Sequence, residues 1–481
     1  MGELACPLQE MAQGMPEAPA ILAPHRSYTY RDYHEYVSGA VANLRKAGLS
    51  EGDLLAIALP PGTPYPILLM ALFRMGAIAC PMNTRFPAQY LLETLERIRC
   101  RNMVVPYGAS VTTVYGRLYA LAPRDLVDDR LVSAVGDATV DLERPSAIVL
   151  TSGSAGPPKA ALLSYGNFYR NAMWSNENIP LGVGDRWLMS LPLYHVAGLG
   201  VLFRCLLGGA SVVFPASNEN IEKAIRKYEI THVSLVATQL YRLLQTPEGR
   251  SALKPLKCIL LGGGPLPESL IRKAHMEGLN IFCSYGLTEM ATQATTTRPG
   301  DPINKLLTVG KPLRPGTVRL SPEGEIQVCG DSLFLGYVEG NEISRTLTED
   351  GWFATRDLGA WEFNGYLKVI GRKDNMFIAG GENIQPEEIE SCLCRQEGVL
   401  QAVVVPVEHE EFGATPVAFV RLEEGRKLMP EDLQHALAPH LPKYKIPRYF
   451  LPLPENDPFT DVKVSRKELI THAYHLLREP K

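Results

Sequence analysis

Short apolar runs recur down the first three quarters of the chain, at 54–59, 147–150, 187–191, 211–214, 232–236 and 258–261. Before and between them lie stretches, such as 31–47 and 221–228, whose apolar positions repeat at helical rather than two-residue spacing. Near-continuous apolar strands separated by amphipathic helices predict an α/β fold with mostly parallel sheets covered by helices. The most apolar stretch, 67–80, is interrupted by Arg74 and falls short of the roughly 20 residues a bilayer requires, so it predicts a buried helix.

From about Lys311 the pattern changes to short strands punctuated by Gly and Pro. PEGEIQVCG and WEFNGYLKVIG both predict antiparallel hairpins, so a β-rich subdomain closes the large unit. After GRKDN another pattern begins: a helix over 386–396, the strands LQAVVVPV and PVAFVRL, a helix over 430–438, and a polar tail. The expected organisation is a large multi-subdomain α/β domain over 1–371, a junction at 372–375 and a small α+β domain over 376–481.

Composition narrows the class. Of 481 residues, 46% are hydrophobic and 21% charged, which excludes a disordered or collagen-like chain. The 48 Lys+Arg and 52 Asp+Glu leave a net charge of -4 with no basic block, so nucleic acid is not an expected partner. The cysteines are odd in number, lie in apolar segments and form no CxxC pair, as buried thiols of a reducing compartment do. MGELACPLQEM has neither a basic n-region nor an apolar h-region, and a cytoplasmic protein is expected.

Three regions carry candidate chemistry. TSGSAGPPK (151–159) follows the apolar run AIVL; its spacing is not that of a Walker A loop, yet its glycines, hydroxyls and lysine suit a polyanion. A flexible surface loop is the alternative. SYGLTE (284–289) offers a tyrosine face for a purine, a threonine donor for phosphate and a glutamate for Mg²⁺, or is merely a capped turn. LLGGGPLP (260–267) supplies an earlier glycine turn that a base edge can approach closely, or an ordinary strand-to-helix connection. In GWFATRDLG (351–359) and GRKDN (371–375), Asp357 can accept both hydroxyls of a ribose and Arg372 can hold the same sugar. A salt bridge between the two is the competing reading.

Taken in order, these segments resemble the adenylate-forming superfamily of acyl-CoA ligases, peptide-synthetase adenylation domains and luciferases, from SYTYRDYHEYV to DVKVSRKEL. The resemblance implies a two-step reaction: a carboxylate attacks the α-phosphate of ATP, and a thiol, here coenzyme A, then displaces AMP. It implies that Thr151, Ser152, Gly153, Ser154, Gly156 and Lys159 cradle pyrophosphate, that Thr288 touches phosphate and that Glu289 holds Mg²⁺. Gly262, Gly263, Gly264, Tyr285 and Gly286 would bracket adenine, and Asp357 and Arg372 would bind ribose. Lys463 stands where the family has its mobile lysine, Asp374 where the small domain pivots, and Gly380 and Gly381 on the face turned toward coenzyme A. Two departures are Val462, where glycine is common, and Ala155, where a second hydroxyl is usual.

MSLPLYHVAGLG (189–200), VATQLYRLL (236–244), GENIQPEEIE (381–390), EEFGATPVAF and VKVSRKEL are similar to one branch, the o-succinylbenzoate–CoA ligases of menaquinone biosynthesis. That substrate has two carboxylates, so one must be anchored while the other reacts. Arg204, Gln239 and Thr292 lie in segments expected to line the acyl pocket, with Arg204 equally readable as a surface cation. His195 would sit at the mouth between the acyl pocket and the pantetheine channel. Another aryl- or fatty-acyl-CoA ligase, a carrier-loading adenylation enzyme and an inactive nucleotide- or acyl-binding relative remain as alternatives. Monomer and homodimer are both open.

Overall fold

The computed structural model describes residues 2–85, 88–106, 119–121, 126–127, 138–151, 158–379, 382–409, 412–423, 425–454 and 465–478. Two large sheets dominate it. In the nine-stranded sheet, Ile281–Gly286, Cys258–Leu261, His232–Leu235, Arg186–Leu188, Ser211–Val213 and Pro19–Leu22 run parallel as neighbours in that order. Gln293–Thr296 adds an antiparallel strand beside Ile281–Gly286. The eight-stranded sheet has a parallel portion, Pro145–Thr151, Ile78–Pro81, Leu54–Ile57, Asn102–Val104 and Tyr119–Leu121. Its other side is antiparallel, where Lys159–Ser164 pairs with Pro145–Thr151 and Gly336–Glu339 pairs with Lys159–Ser164.

One core joins both sheets through the helices Pro64–Met75, Tyr165–Asn178 and Val196–Gly208. Phe73, Phe168 and Phe203 meet there, with ring centroids 5.8 Å apart for Phe73–Phe203 and 5.2 Å for Phe168–Phe203. Such burial explains why Pro64–Met75 is apolar nearly all round. The single helix expected over 67–80 is corrected: Gly76 takes φ 77°, a left-handed C-cap, and the chain resumes as the strand Ile78–Pro81.

The two hairpins form a four-stranded antiparallel sheet of Val318–Leu320, Glu325–Val328, Phe353–Glu362 and Tyr366–Arg372. Beyond the 3₁₀ turn Lys373–Asn375, a three-stranded sheet (Val399–His409, Gly413–Leu422, Tyr449–Pro452) packs against Pro386–Cys394 and Pro430–Leu437 with its own core. The polar tail is a second correction. Arg466–Arg478 is a helix that buries Leu469 and Ala473, one turn apart, against Val403, Val405 and Val407. Arg466 opens it and pairs with Glu390 at 2.6 Å. Among the described residues no helix is long and apolar enough to cross a membrane.

Candidate active site

Adjacent parallel strands end together where ligands of open α/β sheets are received. Cys258–Leu261 runs into Gly262, Gly263 and Gly264, and its neighbour Ile281–Gly286 carries Tyr285 and Gly286 at its end. Gly263 has φ 80°, and a Cβ on Gly286 would lie 1.9 Å from the Thr292 carbonyl oxygen. Glycine is therefore required at both positions for the backbone to take this path.

Asp357 is the hub of this end. The Tyr285 hydroxyl donates to its Oδ2 (2.7 Å), and Arg372 Nη1 lies 3.1 Å from its Oδ1. Strand register causes the second contact, because Asp357 and Arg372 face each other across the hairpin. Burial first, and then the Asp357 carboxylate, push the Tyr285 phenol well above its ordinary range. The salt bridge contemplated from the sequence is therefore formed. Asp374 accepts from Arg356 Nη1 (2.6 Å) and lies 3.6 Å from Arg372 Nη2, so the same arginine reaches the turn at the junction.

A second cluster gathers around Glu289. It lies on the 3₁₀ turn Thr288–Met290, and its Oε1 accepts from the Tyr337 hydroxyl. Lys159 Nζ sits 4.8 Å from the centroid of the Tyr337 ring. Thr151 and Lys159 are cross-strand partners, and the Thr151 hydroxyl donates to the Lys159 carbonyl (3.4 Å). This donor set fits Mg²⁺, which takes one or two carboxylates and completes its shell with water and substrate phosphates. Among the described residues no group of three or more His, Cys, Asp or Glu forms an all-protein metal cage.

The third cluster is the Arg204 environment. Arg204 is 2% exposed, which excludes the surface-cation reading. Its Nη2 donates to Thr292 Oγ1 (3.2 Å), its Cζ lies 5.3 Å from the Trp187 ring centroid, and its buried Nε has no hydrogen-bond partner. No carboxylate pairs with it among the described residues. Desolvation lowers its pKa from 12.5 to about 10. A Cβ on Gly200, one helical turn earlier, would come within 2.5 Å of Thr292 Cγ2, so glycine lets this helix press onto Thr292. His195 is the N-cap of the same helix, exposed, with its ring 4.6 Å from that of Tyr194. Gln239 directs Oε1 to the Val236 amide (3.0 Å), a capping bond at the start of the helix Ala237–Gln245.

The family of AMP-binding enzymes matches residues 8–338, and the AMP-binding enzyme C-terminal domain matches 388–460. The chain belongs to the AMP-binding enzymes. A 2-succinylbenzoate–CoA ligase of Bacillus velezensis is 33% identical, over 98% of this chain and 98% of that protein. The o-succinylbenzoate CoA synthetase of Bacillus subtilis in complex with the acyl-adenylate intermediate OSB-AMP superimposes with a TM-score of 0.87, at 28% identity and 98% coverage of each chain. The same synthetase in complex with ATP and magnesium ion gives 0.85, covering 97% of this chain and 99% of that one.

In this AMP-binding enzyme the candidate residues Thr151, Lys159, Gly262, Gly263, Gly264, Tyr285, Gly286, Thr288, Glu289 and Arg372 lie at strand ends and turns, and Asp357 lies mid-strand opposite Arg372. Ser152, Gly153, Ser154, Gly156, Gly380, Gly381 and Lys463 lie outside the described residues. Sequence reasoning missed Tyr337 and a polar face of the helix Tyr165–Asn178. There Asn171 Nδ2 donates to the carbonyls of Met290 (3.0 Å) and Gln293 (2.7 Å), and Asn178 Nδ2 donates to that of Thr297 (2.9 Å). Asn167, Asn171, Ser175 and Asn178 recur at helical spacing; that was the available signal, and it imitates a solvated face.

Proposed function

We propose that this AMP-binding enzyme is an ATP-dependent o-succinylbenzoate–CoA ligase of menaquinone biosynthesis, working in the cytoplasm. In the first half-reaction the aliphatic carboxylate attacks the α-phosphorus of ATP and the bond to pyrophosphate breaks. In the second, the thiol of coenzyme A attacks the acyl carbon, loses its proton, and AMP departs with the bonding electron pair.

Asp357 and Arg372 take the ribose, with Tyr285 and the 262–264 turn beside adenine. Lys159, Thr151 and Thr288 meet the phosphates, along with Ser152, Gly153, Ser154 and Gly156. Mg²⁺ on Glu289 supplies charge neutralisation to the phosphates when bound. Lys463 bridges the two anions that must approach each other. The small domain, 376–481, then turns about Asp374 and brings Gly380 and Gly381 toward coenzyme A, with His195 at the channel mouth.

The observation that carries the choice of acid is Arg204, a buried cation beside Thr292 that no carboxylate of the described residues pairs with. A second, unreactive carboxylate on the substrate would complete it, and the benzoate of o-succinylbenzoate is such a group. Gln239 lies in the neighbouring pocket segment. The test is thioester formation with ATP and coenzyme A over o-succinylbenzoate, coumarate, benzoate and long-chain fatty acids, read by mass spectrometry. The highest kcat/KM is expected for o-succinylbenzoate; faster turnover of coumarate or a fatty acid refutes the acid while leaving the family intact.

A further inference from the structure

Tyr337 belongs to none of the motifs above, yet it touches both charged partners of the phosphate end. Its strand, Gly336–Glu339, lies antiparallel to Lys159–Ser164, with Tyr337 opposite Ala161. Lys159, two residues from Ala161, is therefore its diagonal neighbour on one face of the sheet, within reach of a long side chain. That register puts the ammonium 4.8 Å from the ring centroid. On the other side the hydroxyl donates to Glu289 Oε1. The backbone fastens the same two segments: Phe334 N donates to the Glu289 carbonyl (2.8 Å), and Leu335 N to that of Leu162 (2.8 Å). Phe334 packs edge-on to the Tyr337 ring at 4.8 Å and is itself wholly buried. Gly336 has φ 149°, and a Cβ there would lie 2.7 Å from Ile343 Cγ2, so this approach depends on glycine just before the tyrosine. Tyr337 is thus held from behind while its two ends hold Lys159 and Glu289.

We propose that Tyr337 is a positioning residue for phosphate chemistry: its ring aims Lys159, and its hydroxyl orients the Glu289 carboxylate so that the other oxygen meets the metal. The proposal rests on the reading of Glu289 as metal ligand and Lys159 as phosphate cation. Hydrogen-bond partners behind a metal ligand fix its orientation, and their loss typically weakens metal binding by about 10-fold or more.

The two ends of the side chain can be separated. Tyr337→Phe keeps the ring and removes the hydroxyl. With α,β-methylene ATP bound, Mn²⁺ titrated by electron paramagnetic resonance is expected to bind Tyr337→Phe about 10-fold more weakly than wild type. ATP affinity measured calorimetrically in EDTA, where of the two groups Tyr337 touches only Lys159 acts, is expected to be unchanged in that variant. Tyr337→Leu is expected to weaken metal-free ATP by about 5-fold, and to do so in the wild-type background but not in Lys159→Ala. If Tyr337→Leu does not fold, fluorinated phenylalanine at the same position, which drains the ring face while keeping its shape, is expected to give the same loss.

Equal Mn²⁺ affinity in wild type and Tyr337→Phe overturns the role of the hydroxyl. An equal loss of ATP affinity in the Lys159→Ala background overturns the role of the ring. A merely structural tyrosine would depress both titrations together in Tyr337→Phe. Neither titration contains an acid or coenzyme A, so both outcomes hold whichever acyl substrate the enzyme takes.

Discussion

Replacing Arg204 by methionine tests the acyl reading most directly, because two measurements should move in opposite directions. Arg204 holds a charge away from water with one side-chain hydrogen bond, to Thr292, and an indole face beside it. Desolvation pulls its pKa down from the ordinary arginine value to about 10. At about 1.4 kcal/mol for each tenfold change in proton affinity, that is on the order of 3 kcal/mol against the charged form in the unliganded protein. Below about pH 10 the folded arginine is charged and the whole cost is present, so it is constant across neutral pH. A carboxylate placed beside the guanidinium would relieve it.

Arg204→Met retains the length of the side chain and removes the charge. Stranding a buried carboxylate without its partner costs about 3 to 5 kcal/mol, which predicts a loss of roughly 10² to 5 × 10³ in kcat/KM for o-succinylbenzoate. 3-Benzoylpropionate has the same reacting arm without the ring carboxylate and should be adenylated by the variant about as well as by wild type. The unliganded variant should be more stable, by about 1 kcal/mol or more in urea unfolding, because an unpaired buried charge is gone. Pyrophosphate release with each acid and urea titrations supply the numbers. Equal losses on both acids, or a destabilised variant, would mean that Arg204 only packs the helix against Trp187 and Thr292.

Two further predictions concern the small domain. Lys463→Ala should slow acyl-adenylate formation by about 10² to 10³ while leaving thioester formation from supplied acyl-adenylate near wild type; single-turnover quench flow on each half decides, and normal adenylation would reduce this lysine to a solvated charge. Asp374→Pro should damage one half-reaction far more than the other by fixing φ near about -65°. Asp374→Ala, which loses the same contacts to Arg356 and Arg372 without that restraint, should affect both halves alike, and stopped-flow traces in which proline and alanine behave identically would refute the pivot.

The strand-end cluster around Tyr285 and Asp357 was legible in the sequence because its arrangement is tied to backbone geometry. Glycines at 263 and 286 are demanded by a positive φ or a close approach, and such demands leave fixed spacings behind. Asp357 and Arg372 could be paired because a hairpin turn lies between them, at Phe363–Gly365. Errors came where composition stands for two environments at once. The run 67–80 is apolar whether it continues as a helix or breaks at Gly76 into a strand. The tail after Lys463 has enough charge to read as solvated, although Leu469, Ala473 and Leu477 share one face of its helix. Asn171 and Asn178 on the helix Tyr165–Asn178 carry the signature of a wet surface, yet they are buried against carbonyls of the 290–297 segment.

Arg204 shows why substrate choice is harder to read than reaction class. An arginine in GVLFRCLLGG is consistent with a cation at the edge of a helix, and no spacing rule separates that from a charge at the base of a pocket. What separates them is Gly200 one turn before it, which brings the helix against Thr292, and Thr292 is in turn held by Asn171 from another helix. The Arg204 environment therefore depends on three segments remote in sequence, none of which carries a phosphate-binding pattern. Adenylation can be retained through strand-end glycines and carboxylates while the acid changes through contacts of this kind. It follows that altering Gly200 or Asn171 should shift acid preference before it touches ATP, whereas changes at Asp357 or Glu289 should do the reverse.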